Sequence, residues 1–147
     1  MVIQQASVID FLANNGELKH LQEIFNDYHE LSIYGLGDGQ RTLVAATLLA
    51  RQQSSNLLVL CDTQKRAKEL WEDLGQLMVS FDVLYFPALE MIPFEVLAKS
   101  GELEQKRAEI LAKLLLGGEK PYIIVTTIEG FGKQLLPTEI FRLGQKS

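Results

Sequence analysis

A chain of 147 residues, 47% hydrophobic and 22% charged, is long enough for one cored domain and too apolar for a disordered segment. Its net charge of -5 lacks the basic footprint of an autonomous DNA-binding domain. One cysteine, Cys61, cannot make an internal disulfide, and with only His20 and His29 beside it no metal cluster is expected.

The opening "MVIQQASVIDFLANNGE" has neither the basic start nor the long apolar run of a secretion signal, and no stretch reaches membrane-spanning length. A cytoplasmic protein without a membrane partner is expected. Ser7 can cap a first helix, "VIDFLA", which Asn14-Asn15-Gly16 breaks. Leu18, Leu21, Phe25 and Tyr28 then share one face of a second helix. "LSIY" (31–34) reads as a strand leading into a glycine loop, and Leu43, Ala46, Thr47 and Ala50 give the stripe of the helix after it. "NLLVLCD" (56–62) has the near-continuous apolar run of a strand buried on both faces, with Cys61 as a buried small hydrophobe.

Asp62 or Thr63 can cap the next helix, which buries Ala67, Leu70, Trp71 and Leu74. "DVLYF" (82–86) is a third strand, stopped by Pro87, and "PALEMIPFEVLAKSG" reads as an extended connection with at most one helical turn. Residues 101–118 form a strong helix with Leu103, Ile110, Leu111, Leu114 and Leu115 on one side, ended by Gly117-Gly118. "PYIIVTT" (121–127) is a fourth buried strand, followed by a short helix, "IEGFGKQLL". Strands alternating with helices of crossover length predict an α/β domain: a mainly parallel sheet with helices on both faces. The domain is expected over 1–137. Residues 138–147, "TEIFRLGQKS", read as the start of a following domain or a C-terminal tail, or as a last strand folding back on the sheet edge.

"YGLGDGQRT" (34–42) stands where a phosphate loop, G-x-x-x-x-G-K-[ST], would stand. Such a loop points successive N–H groups at a phosphate from the positive end of a helix. Alignment at the helix entry puts Gly35 at the first glycine, Gln40 at the second, Arg41 at the lysine and Thr42 at the metal-binding hydroxyl. Gln40 brings a Cβ where backbone must approach, and Arg41 replaces a compact ammonium with a planar fork. Asp38 adds a negative charge to an anion cradle. Hydrolysis also needs an acid at a strand end, and the fourth strand ends in Thr126-Thr127 with Glu129 beyond it. Nor is this a dinucleotide fingerprint, because Thr42 occupies the third glycine position. The loop is expected not to be catalytic.

Taken in order, "YGLGDGQRTLVAATLLA", "LLVLCDTQKRAKELWEDL", "VLYFPALEMIPFE", "ELEQKRAEILAKLL" and "YIIVTTIEGFGKQLLP" resemble the N-terminal domain of the bacterial transcription-repair coupling factors. The resemblance runs from about Leu31 to Pro137. It implies a P-loop NTPase/helicase-like fold, similar to the first helicase-like domain of the repair protein UvrB, with a degenerate phosphate loop. The family's ATP and Mg²⁺ belong to a motor further along the chain, so no cofactor is implied here. UvrA and RNA polymerase are the partners implied for the full-length protein, an ATP-dependent DNA translocase. The damage-probing aromatic hairpin of UvrB has no counterpart: the interval from Pro87 to Ser100 holds one aromatic, Phe94. Strong DNA binding by this chain is therefore not expected.

Four further features carry two readings each. Arg107 lies on the apolar stripe of its helix, either snorkelling to water or facing another domain or the glycine loop. Glu90 and Glu95 flank the proline loop, solvated or touching a neighbouring domain. Trp71 fills core or offers a stacking platform, the helical stripe favouring core. Lys65, Arg66 and Lys68 form a solvated basic face or a phosphate patch. The leading expectation is a non-catalytic module that scaffolds UvrA recruitment. The alternatives are a competent P-loop NTPase with an unorthodox loop and a stand-alone DNA-binding domain.

Overall fold

The computed structural model describes residues 14–28, 30–50, 55–89 and 97–132. The first expected helix, Glu90, Glu95, Phe94 and the 137/138 boundary lie outside the described residues. Helix α1 (Gly16–Asp27) starts where Asn15 Oδ1 accepts the Glu17 N–H at 3.0 Å, so the break between the first two expected helices is also a cap. Tyr28 falls outside α1 and is exposed. The residue α1 buries instead is Gln22, whose Nε2 donates to Thr47 O at 3.0 Å and ties α1 to the next helix. Its Oε1 has no partner among the described residues.

Residues 31–34 form no strand, contrary to the sequence expectation, and Tyr34 is 88% exposed. Apolar alternation marks a segment that could join a sheet, but a ladder needs a neighbour, which local pattern does not supply. Helix α2 (Asp38–Leu49) follows the glycine loop, with Ala46 and Thr47 buried. The sheet consists of β1 (Leu57–Cys61), β2 (Asp82–Tyr85) and β3 (Tyr122–Thr127) in the order β1-β3-β2, all parallel. Val59 faces Val125 across one ladder, and Leu84 faces Ile124 across the other. Asn56 Oδ1 accepts the Tyr122 N–H at 2.9 Å and fixes where the first ladder begins.

The central strand β3 is buried almost throughout, as its apolar run predicts. The equally apolar β1 is not: Leu57, Val59 and Cys61 pack against the core, while Leu58 and Leu60, on the other face of the strand, are 45% and 48% exposed. Helix α3 (Gln64–Leu77) is capped by Thr63, whose Oγ1 accepts the Arg66 N–H at 3.4 Å. Its Ala67 and Leu74 join Ala46, Met78, Phe81, Ile123 and Val125 in the main core. Trp71 belongs to the same packing. Its Nε1–H donates to Val83 O at 3.1 Å and its ring centre lies 5.9 Å from that of Tyr85, so it serves as core.

Helix α4 (Leu97–Leu116) begins four residues before the expected Gly101. Nothing in "LAKS" breaks a helix, and one interior glycine costs only about 1 kcal/mol. Leu103, Ile110, Leu111 and Leu114 are half-buried, while Leu115 is exposed. Gly117, at φ +74°, ends the helix as expected. Tyr122 Oη donates to Lys113 O at 3.3 Å, joining the end of α4 to the start of β3. Helix α5 (Ile128–Gly132) follows β3 directly. The outcome is the expected α/β class with a parallel sheet, of three strands among the described residues.

Candidate functional site

The glycine loop meets the carboxyl end of β1, where ligands bind in open α/β sheets. Gly35 has φ +82°, a conformation that glycine reaches without strain. Gly37 has no side chain to cap α2, and its own N–H donates to Gln40 Oε1 at 2.9 Å. The residue at the second glycine position thus folds back over an N–H that a phosphate loop would offer to its ligand. Arg41 is also turned inward: Nε donates to Leu36 O at 3.1 Å, and a terminal nitrogen lies 3.8 Å from Asp38 Oδ1.

Arg66 joins this loop to β1. It bonds Asp62 Oδ2 at 2.7 Å and lies 3.8 Å from Asp38 Oδ1. Asp38 therefore places a carboxylate in the first turn of α2, between two arginines, where an incoming anion would otherwise be drawn. All three side chains are roughly half or more exposed, so each pair contributes under about 1 kcal/mol and acts mainly on local charge. Lys65 lies 3.9 Å from Glu69, so two of the three expected basic residues already face acids.

A cleft of about 360 Å³ is lined by Asp38, Arg41, Leu60, Cys61, Asp62 and Arg66 among others. Thr42 opens elsewhere, onto a groove of about 250 Å³ between α2 and α3 that Asp73 and Gln76 also line. A working loop needs its cation and its hydroxyl on the same phosphate–metal unit. Here neighbouring residues turn them toward different spaces. Burial, followed by the nearby Asp62, raises the Cys61 thiol above its ordinary range, while Arg66 acts in the opposite sense. That shift keeps the protonated, weakly nucleophilic form at neutral pH.

Among the described residues β3 ends in two threonines, with the exposed Glu129 beyond them. Asp62 is engaged with Arg66. Thr126 Oγ1 donates to Phe86 O at 2.7 Å, and Thr127 Oγ1 accepts the Gly130 N–H at 3.1 Å. Among the described residues no group of three or more His, Cys, Asp or Glu could hold a metal. No helix among them is long and apolar enough to cross a membrane.

Arg107 is not part of the loop, nor does it snorkel to water. It is 5% exposed, and its Nη1 donates to Pro87 O at 2.7 Å and to Gly130 O at 3.0 Å. Its guanidinium carbon sits 4.1 Å from the centre of the Phe86 ring. Burial lowers its pKa, the direction for a cation moved out of water. Its partners are carbonyl oxygens and a π-face, and they tie α4 to the exit of β2 and to α5. The helical pattern placed Arg107 on the inner face but gave no sign of these partners, which lie 20 and 23 residues away.

Gly130 completes this junction. A Cβ there would stand 2.5 Å from Thr126 Oγ1 and 3.3 Å from Ala88 N. The gain in helix propensity on Gly130→Ala, up to about 1 kcal/mol, is outweighed by overpacking that typically costs about 1–3 kcal/mol. A net loss of about 1–2 kcal/mol is expected in a urea melt, and a more stable variant would show that the junction has room.

The chain matches no protein-family model, and no solved structure matches it. It is 26% identical over 133 residues to the Transcription-repair-coupling factor of Bacillus subtilis (strain 168). The match covers 88% of this chain but 11% of that protein, so the chain spans about a tenth of its relative's length. The breadth of this weak likeness along the chain supports a relation to that transcription-repair-coupling factor.

Proposed function

We propose that this chain is a non-catalytic, helicase-like module of a transcription-repair coupling factor. It scaffolds recruitment of the excision-repair machinery, UvrA in particular, to stalled RNA polymerase. In such a protein the ATP-dependent translocase motor lies outside this module, and ATP and Mg²⁺ act there. The module itself needs no cofactor, works in the cytoplasm and makes its contacts with other domains, not with DNA. Glu90 and Glu95 in the proline loop are suited to such interdomain contacts. Arg107 would serve them indirectly, by holding the exit of β2 in place.

The observation that carries the non-catalytic reading is the self-closed loop. Gln40 covers the Gly37 N–H, Arg41 is engaged with Leu36 O and Asp38, and Thr42 lines another groove. Titration of labelled ATP with Mg²⁺ is expected to show no saturable binding at micromolar concentrations. Micromolar binding that Arg41→Ala abolishes would instead establish the competent P-loop NTPase. The coupling role rests on the likeness to the Bacillus subtilis factor. Exchanging the matching segment of that factor for this chain tests it. Preferential repair of transcribed strands should persist, and its loss in a hybrid that still hydrolyses ATP would overturn the scaffold reading.

A further inference from the structure

We draw no further inference here: the strongest candidate, the face of β1 with its half-exposed Leu58 and Leu60 beside the cleft at the start of α2, is an apolar surface for which nothing in the structure shows what covers it.

Discussion

Arg107→Ala is expected to lower the unfolding free energy by about 3 kcal/mol. Hydrogen bonds to a charged group are each worth about 1.5–3 kcal/mol, and a desolvated cation–π contact about 2 kcal/mol. Against these gains stands the penalty of keeping a guanidinium out of water, so the sum is not recovered in full. The variant nevertheless loses more than the contacts themselves. It leaves Pro87 O and Gly130 O without their shared donor in a site where Arg107 is only 5% exposed. For a domain of this size the loss corresponds to roughly 6–12 °C in Tm.

Urea denaturation followed by Trp71 fluorescence measures the change, since that indole is packed against the sheet. Arg107→Lys separates the charge from the shape. Its ammonium can donate to a carbonyl but cannot lay a planar fork over Phe86, so partial recovery is expected. A loss under about 1 kcal/mol for Arg107→Ala would mean that the head group is solvated, and the junction of α4, α5 and the β2 exit would have to be redrawn.

Leu74→Ala should be at least as damaging, at about 3–4 kcal/mol. Leu74 is fully buried and is packed with Ala67, Met78, Ile123 and Val125 between α3 and the sheet. Truncation removes transfer free energy and leaves a cavity that α3 can close only in part, because its other contacts hold it in place. Leu70, one turn earlier on the same helix and only partly buried, supplies the control. Leu70→Ala has the same change in helix propensity but less burial to lose, so it should cost half as much or less in the same urea titration. Equal losses at the two positions would show that Leu74 is not the residue on which the α3–sheet contact rests.

The legible part of the candidate site is its local chemistry. Gly35, Gln40, Arg41 and Thr42 can be aligned with a phosphate loop from sequence alone, and the wrong residue types at Gln40 and Arg41 follow from that alignment. How the loop closes was not legible. The Gln40 cap spans three residues, but the pairing of Asp38 with Arg66 joins two helices across 28 positions. The separation of Thr42 from Arg41 depends on how α2 packs against α3, and residue identity carries no record of that. Cys61 shows the same division. Its apolar neighbours announce a buried residue, whereas the structure leaves it half-buried, beside the Asp62–Arg66 pair at the start of α3.

Sequence by itself determined the α/β class, because strand and helix periods alternate at crossover spacing. It also narrowed the α3 cap to Asp62 or Thr63, of which the structure uses Thr63, and set the end of α4 at Gly117, because each depends on a residue's own side chain or backbone freedom. Only the tertiary structure decided that β3 is central and β1 an edge among the described strands, that residues 31–34 stay out of the sheet, and that Arg107 is satisfied by two carbonyls. Each of those outcomes depends on whether and how segments far apart in the chain meet. An apolar or charged residue signals that it needs a partner, but which partner it receives depends on the folding of the other elements around it.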